Sequence, residues 1–129
     1  MLAQVSLEFI TLLSLLSIFL LLLIYQGFGL QNKLSYNKIL MGAQAISDQV
    51  ASEINLALKA GDGYSRFFTI PPKILNLIDY TIEVKDYNII VSWDGNYVKS
   101  SILTRSIYGQ ILKGNNFIKN VDGLIYVNT

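Results

Sequence analysis

The sequence predicts an α+β fold in which a long N-terminal hydrophobic helix packs by its second half on a small antiparallel β-sheet head. Three observations predict it. No charged residue occurs from Phe9 to Asn32, which is enough apolar chain to cross a hydrocarbon layer of roughly 30 Å. Apolar residues then recur at spacings of three and four until Gly61-Asp62-Gly63. Beyond Tyr64 the apolar period shortens to two, and Asp-Gly pairs punctuate it.

The first helical stretch is broken between Phe9 and Tyr25 only by Thr11, Ser14 and Ser17. It is apolar on every side, as a helix in lipid or in a helix-packed core must be. Gly27 and Gly29 mark the weakest point, since each costs about 1 kcal/mol relative to alanine inside a helix. The sequence is compatible with one continuous helix of roughly 85 Å, reckoned at 1.5 Å per residue. It is equally compatible with two helices, one ending near Gly27 and the other starting near Ser35. In the second part Ile39, Ala43, Ile46, Val50, Ile54 and Ala57 form a stripe widened by Leu40, Ala51 and Leu58. Gln44, Asp48, Ser52, Asn55 and Lys59 take the other face. Glycine just past a helix end accepts the left-handed conformation of a C-cap.

In the head, "YTIEVKD" alternates Tyr80, Ile82 and Val84 with polar residues. Tyr87-Asn88 allows a turn into "IIVSWD", Asp94-Gly95 closes a second hairpin into "YVKSSIL", and Asp122-Gly123 joins "FIKNV" to "LIYVN". Three hairpins imply an antiparallel meander of four to six strands. Pro71-Pro72 makes the preceding "FFTI" an edge strand or a linker. The expected core joins Trp93, Tyr80, Ile82, Val84 and Val91 to Ile46, Val50 and Ile54 of the helix, and most of the eight Tyr are expected at core and sheet-face positions.

Composition removes several classes of function. The ten Lys and Arg nearly balance the nine Asp and Glu and form no run, so the electrostatic footprint of a nucleic-acid binder is missing. The sequence has neither Cys nor His, which excludes thiolate and imidazole metal sites and the commonest nucleophile and base. Asp79, Glu83 and Asp86 read as solvated charges around Lys85, and "GDG" lacks the spacing and the lysine of a phosphate loop. No catalytic residue, metal site or cofactor is expected.

What remains is Glu8, a carboxylate at the threshold of an apolar helix. Such a charge costs a few kcal/mol in lipid and points to function. A secretory signal peptide fits badly, because the apolar stretch is too long and no Ala-x-Ala follows it. The stretch Gln4-Val5-Ser6-Leu7-Glu8-Phe9, set directly before the apolar run, resembles the Q-x-S-x-E-F signature of archaeal type IV pilin precursors with class III signal peptides. One departure is that Met1-Leu2-Ala3 has none of the basic residues usual in those leaders.

The resemblance implies cleavage between Ala3 and Gln4 by a prepilin peptidase, with Gln4, Ser6, Glu8 and Phe9 serving processing and assembly. The implied parts are a leader over 1–3, a transmembrane and filament-core helix over 4–32, an amphipathic helix over 33–60 and a head over 61–129. Leu12, Leu15, Leu16, Phe19, Leu20, Leu22 and Leu23 would pack in the filament core. The partners implied are further copies in a helical homopolymer, the membrane before assembly, and indirectly an assembly ATPase and a platform protein, with no nucleic acid. The expectation is a major subunit of an adhesive surface pilus, held in the cell membrane with a cytoplasmic N-terminus and extracellular once assembled. The alternatives are a minor priming or tip subunit, or a monomeric membrane-anchored binding domain.

Overall fold

A computed structural model describes residues 2–129; Met1, the first residue of the expected leader, lies outside the described residues. One helix, α1 (Leu2–Ala60), is followed by seven strands: β1 (Ser65–Ile70), β2 (Thr81–Lys85), β3 (Asn88–Trp93), β4 (Asn96–Ser101), β5 (Ile107–Gly109), β6 (Gly114–Val121) and β7 (Leu124–Val127). The expected α+β layout is therefore present, a long apolar N-terminal helix followed by a small, mainly antiparallel head. The chain divides into two compact units, one ending at Asn37 and the other spanning Lys38–Thr129.

Of the two readings of the helix, the continuous one holds. α1 runs through Gly27 and Gly29 without a break, and a Cβ at either would meet nothing within 4 Å. The helix stops where the glycines allow it, with Gly61 and Gly63 both at φ +88°.

In the second unit the strands form two sheets rather than the single meander expected. One has the order β1-β6-β7-β5 and the other β2-β3-β4. All pairings are antiparallel except β5 with β7, which run parallel. The sheet divides because the connection after β1 carries the chain away. Pro71 and Pro72 end β1, which is an edge strand as its prolines require, and a loop then leads to β2 in a different sheet.

The helix stripe covers both sheets. Val50, Ala51, Ile54 and Ala57 pack with Phe68, Ile70, Ile118, Ile125 and Val127 of the larger sheet and with Ile89 and Ile102. Ala43 and Ile46 pack with Ile74, Tyr80, Val91, Trp93 and Val98. At ~25 cal/mol per Å² of apolar surface, this two-sided burial is the principal stabilisation of the unit.

Two details of the expected head are corrected. Val84 is 36% exposed, because β2 is an edge strand and Val84 lies toward its end, where the two core clusters do not reach it. The first hairpin turns at Asp86-Tyr87, one residue earlier than Tyr87-Asn88, with Lys85 opposite Asn88. Moving that register by one would turn Ile89, Val91 and Trp93 to solvent. Both turn residues accept positive φ, 48° and 62°, and the Asn88 side chain donates to the Asp86 carbonyl at 2.8 Å.

Four buried polar side chains hold these parts in register. Ser47 on the buried helix face donates to the Ile89 carbonyl at 3.1 Å. Asn120 donates to the Ala57 carbonyl in the last turn of α1 and accepts from the Gly123 amide, both at 2.9 Å. Asn116 accepts from the Leu112 amide at 2.8 Å. Ser100, with Gln44, closes on the Asp48 carboxylate. Burial pushes the Tyr80 phenol above its ordinary range, consistent with its donating a hydrogen bond to the Pro71 carbonyl.

Candidate functional site

The residues singled out by the sequence all lie on the first unit of α1. From Phe9 to Leu30 every large apolar side chain is between 49% and 80% exposed. This is a helix long and apolar enough to cross a membrane, and none of its apolar window is buried within the chain. That surface is the candidate site, since so much exposed hydrocarbon needs an apolar partner outside the chain.

The helix settles its own polar groups. Thr11 donates to the Glu8 carbonyl, Ser14 to the Ile10 carbonyl and Ser17 to the Leu13 carbonyl, each at 2.8 Å. A hydroxyl bonded back to its own helix needs no water and no partner chain, so the three interruptions carry little penalty in an apolar medium.

Helical geometry brings the predicted packing residues together. At about 100° per residue, Leu12, Leu16, Phe19 and Leu23 fall in one stripe, Leu15 and Leu22 flank it on one side and Leu20 on the other. The seven occupy an arc of about 160°. Ser14 and Ser17 lie on the opposite side with Ile10, Leu13 and Leu21. Glu8 precedes Leu12 and Leu15 by four and seven residues, so its carboxylate belongs to the leucine face. Phe9 stands at the edge of that face, and Ser6 belongs with the serines.

At the N-terminal end, Ala3, Gln4, Ser6, Glu8 and Phe9 are exposed and helical. The Ala3–Gln4 bond lies within the first turn of α1, where amide groups lack intrahelical partners and a single terminal turn is the part most readily opened. The first turn contains no acidic residue. Were the chain cut before Gln4, Glu8 would be the fifth residue of the helix, close to the end where negative charge favours the helix dipole. No protein-family model, curated protein or solved structure matches the chain.

In the second unit, Asp79, Glu83 and Asp86 are exposed, with Asp79 3.8 Å from the Lys113 ammonium. Trp93 and Tyr80 are buried at 5% and 2% exposure, as expected of core aromatics. Tyr108 and Tyr126 stack at 5.2 Å on the outer face of the larger sheet. Sequence reasoning missed Ser47, Asn116 and Asn120. Only their position in the apolar stripe or strand alternation distinguishes them from surface polar residues, and polarity masks that signal.

Proposed function

We propose that this chain is a structural subunit, a pilin, of an archaeal type IV-like adhesive surface pilus. It is held in the membrane by residues 4–32, cut between Ala3 and Gln4, and polymerised through its N-terminal helix. The observation that carries this reading is the Gln4-x-Ser6-x-Glu8-Phe9 signature at the mouth of an unbroken helix whose leucine face is left exposed among the described residues.

Assembly exchanges one apolar environment for another. In the bilayer the leucine face meets acyl chains; in a filament it meets the same face of neighbouring helices. The exchange therefore yields little net hydrophobic gain, and close packing decides it. Ser14 and Ser17, on the opposite side and already satisfied internally, leave room there for a further helix to approach closely. Energy for extraction comes from an assembly ATPase acting through a platform protein.

Intact-mass and N-terminal analysis of sheared filaments and of membranes from the native host tests the proposal. The expected result is a filament chain beginning at Gln4. An uncut chain confined to membranes overturns it in favour of a monomeric anchored domain, and a cut chain present only in traces makes it a minor priming or tip subunit.

Within this proposal Glu8 pairs with the new amino group of Gln4, in its own helix or a neighbour's, so that neither charge enters the apolar core alone. Glu8→Gln is then expected to be cut normally and to reduce filament yield several-fold, measured by quantifying sheared filaments against membrane-held protein. Unchanged yield would show that the charge serves processing alone or nothing.

A further inference from the structure

We infer that the loop between β1 and β2 is a second, shallow membrane contact, in which Leu75 and Leu77 enter the lipid interface while the chain is held in the bilayer. The loop is built to display them. Ile74 and Ile78 pair across it, with the Ile74 amide donating to the Ile78 carbonyl at 2.8 Å and the Ile78 amide to the Ile74 carbonyl at 3.1 Å. This leaves Leu75-Asn76-Leu77 as a three-residue tip. Ile74 is fully buried against the helix stripe, whereas Leu75 is 49% and Leu77 77% exposed.

The conformation is costly. Leu75 and Asn76 have φ of 51° and 58°, and leucine seldom adopts the left-handed region. Polar residues or glycine would hold such a tip with less strain and no exposed hydrocarbon. The seat beneath it is also specific: a Cβ on Gly42 would come within 3.0 Å of Ile74 Cγ2 and 3.4 Å of Leu75, so the absence of a side chain at Gly42 lets the loop lie on the helix. Met41, the adjoining helix residue, is 71% exposed.

Charge selects the occupant. Beside the tip the loop carries Lys73, while its other charge, Asp79, lies 3.8 Å from the Lys113 ammonium; the helix of the same unit has Lys38, one turn before Gly42, and no Asp or Glu until Asp48. Leucine tips beside lysines suit a surface of phosphate headgroups over hydrocarbon, where lysine carries its charge in the headgroup layer and leucine reaches below it. The chain's own apolar helix tethers the loop to that surface, so two leucines that would bind lipid only weakly alone act at high effective concentration. Polymerisation would release the contact.

The inference rests only on the membrane-held stage of the pilin proposal and is independent of cleavage. The chain has no native cysteine, so Leu77→Cys and, as a control in the β3–β4 hairpin, Asn96→Cys each give a single site for a bimane label on the full chain. The labelled chains are placed in vesicles of phosphatidylglycerol and phosphatidylcholine containing nitroxide-bearing lipid. Quenching at position 77 is expected to be several-fold stronger than at position 96, independent of protein dilution, and weakened when Leu75→Ser is added. Unchanged Trp93 fluorescence verifies the fold of each variant. Equal quenching at the two sites overturns the inference. Shielding of position 77 from aqueous quenchers that vanishes as the protein is diluted in lipid overturns it too, because a second copy would then be the cover. Either failure leaves the pilin proposal standing, and an uncut native chain leaves this inference standing.

Discussion

Phe19→Lys is expected to leave the chain in the membrane but nearly abolish filaments. Phe19 lies midway along the exposed apolar stretch and in the middle of the leucine stripe, at 58% exposure. A lysine at the centre of a membrane helix costs roughly 3 kcal/mol relative to an apolar residue. In the bilayer that cost is offset by the many remaining leucines and by the lysine reaching toward the headgroups. A helix-packed filament core offers no such route, and each added subunit would bury another unpaired charge. A penalty of roughly 3 kcal/mol per subunit corresponds to about a hundredfold in the addition equilibrium.

Leu21→Lys provides the comparison, since it carries the same charge to nearly the same depth but about 160° round the helix. Carbonate-washed membranes and sheared filaments, quantified for both variants, separate depth from face. Both variants should remain in membranes, with the greater filament loss at position 19. Wild-type filament yield from Phe19→Lys would remove the leucine face from any filament core.

Gly109→Ala is expected to be the most damaging single-methyl change in the head. A Cβ at position 109 would sit 1.8 Å from the Val127 carbonyl oxygen and 2.9 Å from Thr129 Cγ2, and the residue has φ +96°. The obstacle is backbone in the partner strand, so no side-chain rotation relieves it, and β5 must leave β7. Loss of that parallel pair together with the strained φ should cost on the order of 3 kcal/mol. Gly95→Ala, at φ +80° with nothing near its Cβ, tests the backbone effect alone and should cost about 1 kcal/mol. Urea unfolding followed by the single tryptophan, Trp93, measures both. Equal midpoints for the two variants would mean that the β5–β7 contact contributes nothing to the unit.

The helix and its buried stripe were legible in the sequence because periodicity reports burial directly: Ala43, Ile46, Val50, Ile54 and Ala57 are all buried. The hairpins at Asp94-Gly95 and Asp122-Gly123 were legible because their chemistry is local, and both pairs have positive φ. The β5–β7 pairing was not legible. Ile107–Gly109 is a three-residue strand whose partner lies across another hairpin, and its existence depends on a glycine that sequence alone reads as a loop. Val84 misled because alternation identifies a face but not whether anything covers it. The inward-facing Asn116 and Asn120 were unreadable for the reverse reason, since strand alternation that includes polar residues resembles a wet face. In the first unit, the signature residues could be named from order alone. That Glu8 falls on the leucine side, opposite the serines, emerges once the helix is known to run unbroken from Leu2.

The strand order β1-β6-β7-β5 has a further consequence for biogenesis. β7, formed by residues 124–127, is an inner strand of the larger sheet, while β1, the first strand made, lies at its edge and pairs with β6 some fifty residues later. The larger sheet therefore cannot close as the chain emerges; it waits for residues 124–127. Until then β5 has no neighbour and β6 has one open edge, which quality-control proteases can sample. A chain cut before residue 124 would keep its apolar helix and leave β5 and β6 without the strand that joins them. Under the pilin proposal, folding of the head would thus report that residues 124–127 have crossed the membrane before a subunit joins a polymer.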